Sequence, residues 1–247
     1  MSQSCGYEGT GDDPCPHPRH AEGPHCVWHD PTYPKVHGGL RAQLETMVQQ
    51  GQRLAGFELA GAHLERVRLG GACLAGANLA QAHLDGAELA HADLSQANLT
   101  GASLEKADLL GANGSQAILS QAHLAGANLA GANLHGAVVT EAVFARANLR
   151  DAELADAEML GAVLDGASLE GTFWGTRMHV KYDRAAAALE REGSSGREQY
   201  VKAEEAYRTL RQAYDAAGLR DLADLFHRRA MIMRRKYLLN KPGQVLG

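Results

Sequence analysis

The stretch Ala77-Asn78-Leu79-Ala80-Gln81-Ala82-His83-Leu84-Asp85-Gly86-Ala87-Glu88-Leu89 decides the fold. Leu recurs at every fifth residue, with Ala two residues before it. Outward from this stretch the phase runs unbroken from Leu54 to Leu169. Of those 24 positions 20 are Leu, the others being Gly114, Val139, Phe144 and Met159. Two residues before each, 21 of 24 positions are Ala; Gln52, Phe57 and Val67 are the exceptions.

An α-helix turns about 100° per residue, so a five-residue step scatters the Leu positions and forms no stripe. A straight strand alternates with period two, so an odd step sends successive Leu residues to opposite faces. Ala and Leu two apart do share one side of a short extended segment. The other three residues must then turn a corner and bring the next Ala inward. Gly is common two residues after the Leu (Gly56, Gly76, Gly86, Gly101, Gly126, Gly131), where a tight corner favours it. With a quarter turn at each corner, four repeats close a coil of 20 residues.

The Ala-(Asp/Asn)-Leu-x-x pattern, as in Ala77-Asn78-Leu79, Ala92-Asp93-Leu94 and Ala127-Asn128-Leu129, resembles the signature of the pentapeptide-repeat family. The resemblance covers about half the chain. It implies an all-β solenoid: a right-handed quadrilateral β-helix of about six coils, with Leu and Ala inside. At about 4.8 Å per coil the rod is about 29 Å long. Gly114 breaks the inward rule, so a core defect is expected there, with Leu110 or Ile118 as candidates to fill it.

The expected organisation is a Cys/His-rich segment over 1–38, a capping helix over 39–51, the rod over 52–174 and a helical region over 175–247. Leu40, Leu44, Met47 and Val48 have helical spacing and suit a lid on the first coil. Phe173 and Trp174 follow the last regular repeat, and Trp174 falls in the next inward register, as a plug would. A short helix is expected over Ala185–Glu192, and a linker at Gly193-Ser194-Ser195-Gly196. Tyr200, Ala203, Tyr207, Leu210 and Tyr214, then Leu219, Leu222, Phe226, Met233 and Tyr237, predict a helical hairpin over about 197–239 broken at Gly218. The sequence leaves open whether this hairpin caps the rod, dimerises or binds a partner helix.

Charge is uneven. Residues 51–171 hold 14 acidic and 6 basic residues, a net of -8, whereas 172–247 hold 9 and 15, a net of +6. The whole chain, at -5, is not expected to bind nucleic acid directly. Arg228, Arg229, Arg234, Arg235 and Lys236 make the end of the hairpin basic, which suits an acidic partner or peripheral contact with anionic lipid. The N-terminus has no basic region followed by an apolar run, which predicts a cytoplasmic protein.

Cys5, Cys15, Cys26 and His29 lie within 25 residues rich in Gly and Pro. Such a segment lacks a core, and a metal would supply the missing stability. Zinc takes four thiolate or imidazole ligands in a tetrahedron, and Cys26-Val27-Trp28-His29 has the spacing of one knuckle. These four residues are the expected structural zinc ligands, with His17, His20 and His25 as substitutes. Cys73, outside the cluster, reads as a thiol on the rod surface.

Residues 20 apart stack on one face of such a rod. One face collects His63, His83 and His123, then Glu65, Asp85, Glu105 and Asp165, then Arg66, Lys106 and Arg146. It is the candidate partner-binding face. There is no Gly-rich phosphate loop, Gly-x-Ser-x-Gly elbow or His-Glu-x-x-His sequence, and nearly half the residues are dictated by the repeat, so no enzyme is expected. The reading is a non-enzymatic scaffold for a protein partner, with homodimerisation through the ends left open. The resemblance implies one alternative, an acidic DNA mimic that binds DNA gyrase, as some family members do. Another is a membrane-associated protein, since some members carry a similar hairpin ahead of membrane helices; this sequence reaches Gly247 before any such segment.

Overall fold

The computed structural model describes residues 26, 28–31, 39–175, 181–191 and 196–239. Within it the repeat winds into a rod whose coils are 20 residues long. Parallel bridges join residues 20 apart from Glu58↔Asn78 to Glu153↔Phe173. Each face contributes one bridging residue per coil, so the sheets consist of single-residue contacts rather than long strands. Leu64 N donates to His83 O (2.8 Å), Arg66 N to Asp85 O (2.9 Å) and His83 N to Ala62 O (2.9 Å), and this pattern repeats up the rod. Leu and Ala fill the interior: Leu64, Leu84, Ala77 and Ala127 are fully buried.

At each corner the residue in the Ala position donates its N–H to the carbonyl of the preceding inward residue, as in Val67 N to Leu64 O (3.1 Å) and Ala82 N to Leu79 O (3.1 Å). The second residue after each Leu has a positive φ, as a type II turn requires. Glycine meets this without strain, but eleven other residues also adopt φ of 56–60° there. Asp and Asn before the Leu have a local reason. Their Oδ1 accepts the N–H two residues on, as in Asp93 with Ser95 (3.1 Å) and Asn98 with Thr100 (3.1 Å). Their side chains also link coils, through Asn113 Nδ2 to Asp93 Oδ1 (3.0 Å) and Asn128 Nδ2 to Asp108 Oδ1 (2.9 Å).

Corner side chains lean along the rod axis. A Cβ at Gly111 would lie 2.7 Å from His91 Nδ1, whereas one at Gly131 meets nothing within 4 Å. Both positions have positive φ. Gly131→Ala is expected to cost about 1 kcal/mol from backbone conformation alone. Gly111→Ala is expected to cost clearly more, because His91 must also move; urea denaturation of the two variants measures the difference.

The first coil would expose unpaired backbone groups at its N-terminal edge, and four of them have partners. Glu58 N donates to Trp28 O (2.7 Å), and His29 Nε2 donates to Ala55 O (3.2 Å). Arg41 donates to Glu65 O (3.0 Å), and Arg68 N donates to Glu45 Oε1 (3.0 Å). Arg41 and Glu45 come from α1 (Leu40–Gln49), whose Leu40, Leu44 and Met47 are buried. The bond from the Arg68 backbone holds the Glu45 carboxyl below its ordinary range. Phe57 replaces an inward Ala at this open end and stacks on Trp28 at 5.1 Å.

At the other end α2 (Lys181–Arg191), α3 (Arg197–Ala216) and α4 (Arg220–Leu239) follow the rod. The short helix thus starts four residues before the expected Ala185. α3 ends in a Schellman motif: Leu219 N donates to Tyr214 O (2.9 Å) and Gly218 N to Asp215 O (3.0 Å), with Gly218 at φ 76°. α3 packs on α4, and Tyr200, Tyr207, Tyr214 and Phe226 are fully buried. Trp174 is buried and meets Phe226 edge-on at 6.2 Å. Trp174 lies in the inward register expected of a plug, and Phe173 lies one place outside it. Phe173 occupies the outward bridging position opposite Glu153 and is 46% exposed, because inward and outward residues alternate along each face.

The Gly114 defect has a different filling from the one expected. Leu110 and Ile118 are both 41% exposed, since each occupies an outward position. Leu134 Cδ2, one coil on, leans toward the gap instead, and a cavity of about 20 Å³ remains among the surrounding Leu and Ala.

Candidate functional site: one charged face of the rod

Bridges His63↔His83, His83↔Ser103 and Ser103↔His123 place the three histidines in one column. The His63 and His83 rings stack with centroids 4.5 Å apart. His63 Nδ1 lies 3.1 Å from Glu65 Oε1, and this bond holds the Glu65 carboxyl below the usual carboxylate range. His63, Glu65 and His83 thus offer three ligand atoms within 4.8 Å of one another, all facing solvent. Asp85 Oδ1 accepts both the Ser103 hydroxyl and the Glu105 N–H (2.9 Å), so the acidic column is tied across coils. Asp165 lies in the same column toward the other end, exposed.

The cations occupy a corner column. Arg66, Lys106 and Arg146 have φ of 58°, 58° and 59°. Glycine holds the alternate coils at Gly86, Gly126 and Gly166, where an added Cβ would come 3.4–3.5 Å from the Cγ of Arg66, Lys106 or Arg146. Each cation therefore leans over a glycine of the next coil. The alternation spaces the cations two coils, or about 9.6 Å, apart. Sequence reasoning named these residues but not this pairing; the signal was present in the strict Arg, Gly, Lys, Gly, Arg, Gly order at 20-residue steps.

The other three faces use their bridging column differently. Asp108, Asn128 and Asn148 form a side-chain ladder on one, Asp93 and Asn113 on the next, and Asn78 and Asn98 on the third. The charged face carries His63, His83, Ser103, His123, Val143 and Val163 in that column, without one Asp or Asn. The ladder was missed from sequence because its bonds join residues 20 apart.

A second basic surface lies between α3 and α4. Arg208, Arg211, His227 and Arg234, with Gln212 and Met231, line a groove of about 410 Å³. Arg208 is paired with Glu204 at 2.6 Å. Cys26 and His29 are brought together at the N-terminal edge, Sγ to Nδ1 at 3.1 Å. Cys5 and Cys15, like His17, His20 and His25, lie outside the described residues. Cys73 is half-buried in the bridging column opposite Asp93. Among the described residues no helix is long and apolar enough to cross a membrane.

Bridges at 20-residue steps, corner turns and a Leu–Ala interior define a β-helical solenoid of five-residue units. The chain matches the family described as Pentapeptide repeats in eight copies, over residues 50–81, 62–101, 97–136, 111–144 and 132–171. It belongs to the pentapeptide-repeat family.

Solved structures of the same kind resemble it. A trypsin-treated form of QnrB1, a plasmid-mediated fluoroquinolone resistance protein, is 20% identical, with 56% of this chain and 83% of that one covered and a TM-score of 0.42. A pentapeptide repeat protein from the Arabidopsis thaliana thylakoid lumen is 22% identical, covering 51% and 84%, with a TM-score of 0.31. Rfr23 from the cyanobacterium Cyanothece 51142 is 36% identical, covering 35% and 58%, with a TM-score of 0.22. These scores are low, and family membership rests on the repeat. Among curated proteins none matches the chain.

Proposed function

We propose that this protein is a non-enzymatic scaffold that binds a protein partner through the face built on His63, His83, His123, Glu65, Asp85, Glu105, Asp165, Arg66, Lys106 and Arg146. One observation carries the reading. In all six coils the bridging column of this face alone holds no Asp or Asn, the residues that in the other bridging columns close a local turn and link coils. Each such bond is worth about 1 kcal/mol. A bridging column that omits them throughout fits residues chosen for contact rather than for coil stability. Its side chains lie open to solvent, where acid–base chemistry has no enclosed site, while fixed columns of opposite charge suit recognition of a complementary surface.

Partner capture with charge and column variants tests the reading. His83→Asn with His123→Asn is expected to leave the rod as stable or slightly more so, and Lys106→Glu to leave it folded. Both are expected to weaken partner retention at least tenfold. Gln116→Glu, at a corner on the opposite face, is expected to retain it. Equal retention by all three would refute the assignment of this face.

The acidity of the rod, 14 acidic against 6 basic residues over 51–171, supports a second reading as a mimic of DNA toward a DNA-binding partner such as gyrase. Absence of supercoiling inhibition at micromolar protein removes that reading. The basic groove between α3 and α4 offers a separate contact for an acidic partner or an anionic lipid surface; co-sedimentation with anionic liposomes tests the latter.

A further inference from the structure

We propose that His63, Glu65 and His83 form a binding site for a divalent transition ion of the zinc class, built across the first two coils of the rod. Among the described residues they are the one group of three histidine, cysteine or carboxylate side chains whose ligand atoms all lie within 4.8 Å of one another. All three face solvent, so an ion reaches them without any opening of the fold.

The backbone fixes the spacing. His63 and His83 are bridged in parallel, with Leu64 N donating to His83 O (2.8 Å) and His83 N to Ala62 O (2.9 Å). Glu65 follows His63 by two residues, across the inward Leu64. Zinc bound by nitrogen and oxygen at about 2.0–2.2 Å in a tetrahedron sets two ligand atoms about 3.4 Å apart. His63 Nδ1 and Glu65 Oε1, at 3.1 Å, are already near that separation. A carboxylate only accepts, so Nδ1 carries a proton in that bond, and the ion displaces it to solvent. The His83 ring is the part that moves. It stacks on His63 with centroids 4.5 Å apart and planes 8° from parallel, so the lone pairs of the two rings run side by side. The last side-chain torsion of a histidine is broad, and turning about it directs the His83 nitrogen at the shared point. The ring makes no hydrogen bond to another described residue, so the turn gives up only the stack.

Two imidazoles and one carboxylate select the metal. Magnesium and calcium take oxygen ligands, whereas imidazole suits zinc, copper and nickel. With three protein ligands, tetrahedral zinc keeps a fourth position open to water. Asp85 stands to His83 as Glu65 stands to His63, but its Oδ1 is committed to the Ser103 hydroxyl and the Glu105 N–H. The set therefore stops at three. His63 and Glu65 belong to coil one and His83 to coil two, so the ion joins neighbouring coils. Coil stacking assembles the ligands, and binding therefore favours the folded rod. The site needs no protein partner and stands apart from the reading of this face as a docking surface.

The test uses the full chain without an affinity tag, stripped of metal and kept reduced, with zinc chloride as the probe. Zinc is expected to shift the ring nitrogen resonances of His63 and His83 in isotopically labelled protein. His83→Ala and Glu65→Ala, both at exposed positions, are expected to fold as before. Each is expected to weaken the zinc response of His63 by at least about tenfold, the lower end of what losing an outer-shell partner alone costs. His135→Ala, elsewhere on the rod, is expected to keep it. Zinc taken up by cysteines elsewhere in the chain moves neither ring and does not enter this readout. Rings of His63 and His83 that stay unmoved at millimolar zinc overturn the proposal. An unchanged zinc response of His63 in His83→Ala overturns the three-ligand assignment.

Discussion

Trp174→Ala is expected to lower the unfolding free energy by about 4 kcal/mol, the largest loss among the substitutions considered. Trp174 occupies the inward register one step beyond Leu169 and closes the rod against α3 and α4. It also begins a directed chain of hydrogen bonds. Trp174 Nε1 donates to Tyr214 Oη at 2.7 Å, Tyr214 donates to Thr172 Oγ1, and Thr172 donates to Leu169 O at 2.7 Å. Burial holds the Tyr214 hydroxyl above its ordinary pKa, so it remains a donor through the neutral range. Alanine removes the ring, leaves a cavity and ends the chain at Tyr214. Trp174→Phe keeps most of the apolar contact and loses only the first donor, so about 1–2 kcal/mol is expected. Urea denaturation ranks the two. Faster amide exchange in α3 and α4 of Trp174→Ala would show that the helices are held by this contact. A loss below about 1 kcal/mol would mean that the helices and the rod end are stable apart.

Gly114→Leu is expected to stabilise the chain by about 2 kcal/mol and raise the melting temperature by about 5 °C. The backbone of Gly114 lies outside the left-handed region, so a side chain is conformationally allowed. An added Cβ would lie 3.0 Å from Leu134 Cδ2, a mobile end rather than backbone. Burying a Leu side chain gains about 1.5–3 kcal/mol, and removing a Gly from an extended segment adds about 0.5–1 kcal/mol. Against this, Leu134 must withdraw from the gap at a cost of about 1 kcal/mol. Leu94 and Leu134 stand one coil to either side in the same column, so the column accommodates Leu at this spacing elsewhere. Thermal unfolding decides the sign. A fall would mean that Leu134 cannot return to its column position. Gly114→Ala isolates the first step and is expected to gain about 0.5 kcal/mol.

The two readings of residues near Gly114 show where sequence and structure part. The defect itself was legible, because an inward Leu was missing from an unbroken register. Its filling was not, because Leu110 and Ile118 are close in sequence but occupy outward positions, while Leu134 is a full coil away. Phe173 and Trp174 show the opposite case, because the repeat phase alone put Trp174 inward. One place in the five-residue phase separates an exposed ring from a buried plug. The candidate face was legible as a set of columns once the coil length was known. The alternation of cation and glycine, and the absence of the Asn ladder from that face alone, acquired meaning only when lateral contacts were in view.

The sequence by itself determined the coil, because a five-residue rhythm of Ala and Leu can be buried only by a chain that turns a corner after each short extended segment. It also determined the helices of the tail, whose apolar spacing is local. The capping helix and the inward Trp174 were legible too, but only the tertiary structure decided which distant groups meet the ends of the rod. Trp28 and His29 meet the edge of coil one, and Tyr214 meets Trp174 across 40 residues of chain. Such contacts follow no period; they arise where unpaired backbone and exposed core at the ends of a solenoid meet whichever distant groups can satisfy them.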